Sequence, residues 1–202
     1  MKVQDPNKII MAKSKKKSGL IIFLDIDGVC SFWEKSAGKT LGIDIEDEKI
    51  REEIKNGKRM ETYVGGDEKM WPIIKKEGSK WWADMELLPW GKRLYEELKK
   101  RSDYFSFLSS PSNDPDCAAG KVQWLRKHFG DDFKDFLIGR NKYLCASPRA
   151  LLVDDDKGKI KRFRKFGGHV FQWPSPFHLL DGDVDLEETF NDLFEYINEI
   201  RN

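Results

Sequence analysis

The sequence predicts an open α/β fold, a parallel sheet core interrupted after its first strand by a mainly helical insertion. Three observations carry that expectation. Leu20-Ile21-Ile22-Phe23-Leu24 is continuously apolar and β-prone, the pattern of a strand buried on both faces of a parallel sheet. Downstream, short apolar runs alternate with stretches of helical period, the order of βαβ units. Residues 31–88 differ in character, with Trp33, Trp71, Trp81 and Trp82 scattered among charged stretches.

Taken in order, the first strand ends in Asp25-Ile26-Asp27-Gly28, and Ile45 to Ile54 reads as a charged helix inside the insertion. Gly91 to Arg101 places Leu94, Tyr95 and Leu98 on one helical face. A strand follows at Tyr104 to Leu108, then a helix carrying Val122, Leu125 and Phe129. Strands are expected at Phe136 to Ile138, Ala150 to Val153 and His169 to Trp173, and a final helix from Leu186 to Ile200 packs Phe190, Leu193, Phe194, Ile197 and Ile200. The expected organisation is a basic arm over 1–18, a core from 19–30 and 89–202, and the insertion over 31–88. In such a sheet the loops at the carboxyl ends of the strands gather into one site.

The 202 residues hold 36 Lys plus Arg against 35 Asp plus Glu, a formal net charge of +1, with 39% hydrophobic residues. That content supports a sizeable core, and near-neutrality excludes a uniformly basic nucleic-acid binder. The balance hides segregation, because the first twenty residues carry +5 and the remainder −4. The arm reads as a solvated tail, with contact to nucleic acid as its alternative. No apolar run reaches the roughly 18 residues of a membrane span. No secretory signal pattern is present, and Cys30, Cys117 and Cys145 are spaced as reduced thiols. A cytoplasmic protein without membrane association is expected.

Three strands end in residues suited to phosphate chemistry: Asp25 and Asp27, then Ser109 and Ser110, then Asp154, Asp155 and Asp156. Paired acids at one strand end are costly unless a cation neutralises them, and Mg²⁺ is the hard ion favoured when phosphate oxygens and water complete its shell. Gly28 lets the backbone bend close to a ligand.

Phe23-Leu24-Asp25-Ile26-Asp27-Gly28-Val29 resembles the first motif of the haloacid dehalogenase superfamily of phosphotransferases. Leu108-Ser109-Ser110-Pro111 resembles the second motif, Lys142 stands where the third-motif lysine is expected, and Leu151-Leu152-Val153-Asp154-Asp155 resembles the fourth. Within that superfamily the chain is most similar to the 5′(3′)-deoxyribonucleotidase family. Leu88-Pro89-Trp90-Gly91, Gly120-Lys121-Val122-Gln123-Trp124 and Arg140-Asn141-Lys142 carry that narrower likeness.

The resemblance implies a Rossmann-like core, an inserted helical cap and Mg²⁺-dependent hydrolysis of (deoxy)nucleoside monophosphates. It implies that Asp25 is the nucleophile, forming an aspartyl-phosphate, and that Asp27 is the general acid and base. Asp155, with Asp154 beside it, would complete a metal site with Asp25 and the Asp27 carbonyl. Ser109, with Ser110 next to it, Lys121 and Lys142 would bind phosphate and offset the charge of the attack. Ser109 departs from the family's usual threonine but keeps the hydroxyl. Phe32 and Trp33 are candidates to stack on a nucleobase, with Trp81 or Trp82 facing them; core packing is the alternative for each ring. His128, His169 and His178 fall outside the expected strand ends and read as structural or surface residues, and Cys30 as a packing residue. Nucleic acid is a compatible partner without being required. The alternative functions are a polynucleotide end phosphatase in nucleic-acid repair and a non-catalytic nucleotide-binding protein, the latter opposed by the retention of Asp25, Asp27, Ser109, Lys142 and Asp155.

Overall fold

The computed structural model describes residues 19–201, so the expected basic arm lies outside the described residues. Five parallel strands form one sheet in the order β3-β2-β1-β4-β5: β1 (Ile21–Leu24), β2 (Tyr104–Ser109), β3 (Phe136–Ile138), β4 (Ala150–Asp154) and β5 (His169–Gln172). The helices are α1 (Trp33–Leu41), α2 (Glu48–Lys55), α3 (Asp67–Lys75), α4 (Gly78–Ala83), α5 (Gly91–Lys100), α6 (Pro115–Phe129), α7 (Lys157–Lys165), α8 (Pro176–Leu180) and α9 (Leu186–Arg201). This is the expected α/β, Rossmann-like architecture.

The chain builds outward from β1 through β2 to β3, then returns to place β4 and β5 on the other side of β1. The loops after β1 and β4 therefore part in opposite directions, which opens a crevice at the carboxyl edge of the sheet. Register puts Leu24 beside Val153 and Asp154 beside Gln172, so the residues that follow β1 and β4 leave the sheet at one level.

Alternation along β1 explains the two cores. Ile22 and Leu24 face a large cluster with Leu94 and Leu98 of α5, Trp124 and Leu125 of α6, and Phe190, Leu193 and Ile197 of α9. Phe23 faces the opposite side with Leu152, Val170 and the Ile160 and Phe163 side chains of α7. These side chains are fully or almost fully buried, worth roughly 1.5–3 kcal/mol each relative to exposure.

Residues 31–88 leave and re-enter the core at adjacent points. Phe32 N–H donates to Glu86 O at 2.9 Å and Leu88 N–H donates to Cys30 O at 2.8 Å, so the two connections run side by side. The charged stretch read from Ile45 to Ile54 is helical only from Glu48, because Asp47 caps α2 by accepting from Ile50 N–H at 3.0 Å. The segment rests on the core twice. α4 meets α6 closely at Gly120, where a Cβ would collide with the Ser79 carbonyl and the Trp82 Cβ. On the other side, Arg51 and Lys55 of α2 pair with Asp181 beside α8, the Lys55 contact at 2.5 Å.

Candidate active site

β1 delivers Asp25 directly off its last residue, with Asp25 N–H donating to Val153 O at 3.0 Å as a continuation of the ladder toward β4. The carboxylate folds back and accepts from Ile26 N–H at 2.8 Å, leaving Oδ2 to the crevice. Lys142, from the 3₁₀ turn Lys142–Cys145, reaches Oδ2 at 2.7 Å and Asp154 Oδ2 at 2.7 Å. Asp25, Lys142 and Asp154 are all 2% exposed or less. One ammonium thus joins the ends of β1 and β4.

The second basic centre is Lys121 on α6. Asp114 caps that helix, accepting from Asp116 N–H at 3.3 Å, with Pro115 opening the first turn. Two turns later Lys121 is fully buried, and its ammonium donates to Asp27 Oδ2 at 2.5 Å, Ser109 Oγ at 2.8 Å and the Ser110 carbonyl at 2.8 Å. It gathers the ends of β1 and β2. Ser31 supplies a further contact to Asp27 Oδ1 at 3.3 Å. Ser110 Oγ is buried with no hydrogen-bond partner among the described residues.

The three consecutive acids after β4 do three different things. Asp154 pairs with Lys142 and accepts from Asp156 N–H at 2.9 Å. Asp156 caps α7, accepting from Gly158 N–H at 2.7 Å and Lys159 N–H at 2.9 Å. Asp155 points back against Gly28, whose φ of +73° and missing Cβ make room for the carboxylate. Oxygens of Asp25, Asp154 and Asp155 lie within 4.8 Å of one another.

Electrostatics sort these groups. Burial pushes Asp25 upward, but the ammonium groups of Lys142, Lys159 and Lys121 outweigh it and hold the carboxyl well below the usual range. Burial and the Asp25 charge push Asp154 up to about 6 against the pull of Lys142 and Lys159. Asp155 rises well above its ordinary value through burial and then through Asp25 and Asp154, and its carboxylate accepts no hydrogen bond from the described residues. Two raised acids beside one ionised acid are short of positive charge, and three convergent carboxylates are the donor set of a hard divalent ion. The residues present fit such an ion.

The profile of the family described as 5′ nucleotidase, deoxy (Pyrimidine), cytosolic type C protein matches residues 19–195. The chain belongs to this family. Solved structures share the fold at low identity. A putative haloacid dehalogenase-like hydrolase from Bacteroides fragilis aligns with TM-score 0.51 and 17% identity over 75% of this chain and 86% of the other. A haloacid dehalogenase family hydrolase from Deinococcus radiodurans R1, solved with phosphate and sodium, gives 0.50 and 12% over 77% and 83%. A mutant of CbbY from Rhodobacter sphaeroides in complex with xylulose-(1,5)bisphosphate gives 0.50 and 12% over 78% and 87%. Comparison with curated proteins finds no match. The protein is a phosphatase of the haloacid dehalogenase type, similar to 5′-nucleotidases.

Two residues of this candidate site carry no motif in the sequence. Lys159 Nζ lies 3.3 Å from Asp25 Oδ2, and Asp25, Asp154, Asp155 and Asp156 together raise its proton affinity against the opposing effect of burial. Its sequence signal was available: a residue three past the Asp156 cap lies in the first turn of α7, on the side of the helix that buries Ile160 and Phe163. Glu34, at the start of α1, keeps Oε2 buried without a partner, and burial first, then the Asp27 charge, lift its carboxyl to about 7. A lone glutamate in a charged helix carries no such signal in sequence.

The aromatic candidates divide. Phe32 is 5% exposed and packs edge-on against Phe177 at 5.3 Å, and Trp82 is 3% exposed against the Lys121 ammonium and Trp81. Both rings are committed to packing because they sit where the insertion meets the core, so neither offers a face to a nucleobase. Trp33 and Trp81 remain partly exposed, with Trp81 Nε1–H donating to Thr40 Oγ1 at 2.8 Å. His169 opens β5 and His128 lies in the last turn of α6, both at the edge opposite the site, while His178 faces Asp183 at 3.2 Å. Cys30 is buried and its thiol is held protonated by burial and by Asp25.

Proposed function

We propose that the protein is a Mg²⁺-dependent phosphomonoesterase that hydrolyses (deoxy)nucleoside monophosphates through an aspartyl-phosphate on Asp25. The observation that carries the reading is the crevice in which Asp25, kept ionised by lysines, meets the Asp155 carboxyl, which accepts no hydrogen bond from the described residues.

Asp25 Oδ2 is the nucleophile. Its charge is held in place by Lys142 and Lys159, so approach to an anionic phosphate meets less repulsion than a bare carboxylate would. Lys121 and Ser109 form the opposite wall and hold phosphoryl oxygens, with Ser110 beside them. Asp27, oriented by Lys121 and Ser31, delivers a proton to the leaving nucleoside oxygen and then takes one from the water that hydrolyses the acyl phosphate. Asp25, Asp154 and Asp155 would hold Mg²⁺, together with the Asp27 carbonyl. When bound, the ion supplies positive charge to the phosphoryl group where the reaction concentrates negative charge.

The segment over 31–88 serves as a cap on a core of 19–30 and 89–202. It covers the leaving-group side and excludes water, with Trp33 placed to stack on the base and Trp81 as the second candidate. The protein is assigned to the cytoplasm, in keeping with the family's description and with the absence, among the described residues, of a helix long and apolar enough to cross a membrane.

Phosphate release from a panel of ribo- and deoxyribonucleoside 5′- and 3′-monophosphates, with and without Mg²⁺, tests the reading. Release that requires Mg²⁺ and favours nucleotides over small phosphate esters is expected. A panel that yields no phosphate under any condition would sink the proposal.

A further inference from the structure

α7 has a second face. Its nine residues, Lys-Gly-Lys-Ile-Lys-Arg-Phe-Arg-Lys, hold six cations and no acid, on a chain whose residues after the first twenty carry −4. Lys159 turns inward to Asp25, and Arg162 lies over the Tyr143 ring at 4.3 Å. The other four, Lys157, Lys161, Arg164 and Lys165, fall at i, i+4, i+7 and i+8 and line one open groove of about 480 Å³ with Ile160 and Gln172. None of the four forms an ion pair among the described residues.

That concentration is an unneutralised positive field, and it is anchored to the catalytic edge. Lys157 lies two residues beyond Asp155, and Gln172 is the register partner of Asp154. The groove thus begins at the level where the site opens and runs down the outer side of the sheet. Steps of four and seven residues advance about 6 and about 10 Å along a helix, a spacing suited to a chain bearing one charge per nucleotide. A lone nucleoside monophosphate has no second phosphate to use it.

We propose that the outward face of α7 is a docking strip for single-stranded nucleic acid, so that the phosphatase also accepts the phosphorylated end of an oligonucleotide whose inner phosphates lie along Lys157, Lys161, Arg164 and Lys165. The choice of a strand and the end-selective part rest on the phosphatase reading, while the docking of a polyanion on the cationic face does not. A strand is favoured over an acidic protein or an anionic membrane because a site that acts on phosphate esters lies at the head of the groove. No exposed aromatic or aliphatic side chain lines the groove, since Ile160 is buried and the half-exposed Phe166 beyond its end packs on the Tyr143 ring.

The test uses the full chain and a single-stranded oligo(dT) of about ten nucleotides, phosphorylated at one end and fluorescent at the other, followed by anisotropy between about 50 and 200 mM salt. Each phosphate contact to a single strand adds about 0.7 to the slope of log affinity against log salt, so the wild type should show a slope of roughly −2 to −3. Lys161→Glu/Arg164→Glu/Lys165→Glu should weaken binding at least about tenfold and flatten the slope by about 2, with hydrolysis of thymidine monophosphate unchanged. The glutamine version of the same triple variant, with a wild-type melting temperature, should show the same direction at smaller size. Binding that is unchanged in both variants overturns the proposal, as does wild-type binding to anionic vesicles or polyglutamate at the affinity of the oligonucleotide. If strip-dependent binding is seen and no phosphate is released from any substrate, the docking surface stands and the phosphatase mechanism falls. The reverse pattern, hydrolysis of the mononucleotide with binding indifferent to the strip, retains the mechanism and removes the strip.

Discussion

At the carboxyl edge of the sheet, Lys142 sits 2.7 Å from both Asp25 and Asp154 with all three side chains shut away from solvent. In the insertion, Lys35 meets Glu86 at 2.5 Å with about half of each side chain exposed, and Lys80 pairs with Asp84 one turn along a short helix. The distances are alike and the energetics are not. An exposed pair contributes about 0–1 kcal/mol, whereas a buried pair that loses one member leaves an uncompensated charge costing about 3–5 kcal/mol. A fold that needed only stability would place hydrophobic residues at the strand ends. Charge kept there at such cost fits the proposed chemistry, while the charge of the insertion keeps a thin helical layer in water.

The largest break in that contrast comes from the proposed nucleophile. Asp25→Asn should lower phosphate release by on the order of 10³-fold or more while the protein stays folded, because the amide removes a buried acid without removing its volume. A colorimetric phosphate assay beside a circular dichroism melt checks both halves.

Next in size is the stability contrast itself. Lys142→Met should lower unfolding free energy in urea by about 3–5 kcal/mol in the absence of divalent ions, and Lys35→Ala by less than about 1 kcal/mol. Equal losses would mean that the buried cluster is no more coupled than a surface pair.

Gly28→Ala probes the wall of the acidic triad. A side chain at φ +73° costs about 1–2 kcal/mol, and its Cβ would collide with Asp155. Weaker Mn²⁺ or Mg²⁺ binding by calorimetry is the expected outcome, with the melting temperature of the metal-free protein reduced by the backbone strain and the displaced Asp155 side chain.

Glu34 belongs to the insertion by sequence and to the site by electrostatics. Its folded-state proton affinity is raised from the ordinary 4.5 to about 7, so between those values the unfolded chain has released the proton that the folded chain retains. Stability contributed by this group is present below about pH 4.5 and is lost as pH rises through about 7. Glu34→Gln should melt with the wild type at low pH and above it at pH 8, and a difference independent of pH would remove Glu34 from the buried cluster.

Trp33→Ala is expected to act on substrate binding alone. Loss of the proposed stacking platform should raise KM for nucleoside monophosphates by about 1–3 kcal/mol equivalent, leaving hydrolysis of a small aryl phosphate nearly unchanged.

What the sequence made legible follows from periodicity. Strands buried on both faces announce themselves as unbroken apolar runs, and acids or hydroxyls that end such runs must lie on one edge, which is why Asp25, Asp27, Ser109 and Asp154 could be named together. The insertion gave little, because α1, α3 and α4 are short and the apolar residues they bury come from several directions. For the same reason Phe32 and Trp82 look like Trp33 in sequence although packing has consumed their faces. Lys159 was hidden among five other cations on α7, and only the phase set by the Asp156 cap separates it from the four that face the groove.

The most direct measurement is acid quenching of the enzyme during turnover of a nucleoside monophosphate carrying radiolabelled phosphate, followed by analysis of the protein. The account predicts protein-bound phosphate that is released by hydroxylamine, maps to the peptide containing Asp25 and is absent from Asp25→Asn. Steady turnover with no label on the protein at any quench time, or undiminished turnover by Asp25→Asn, would contradict it.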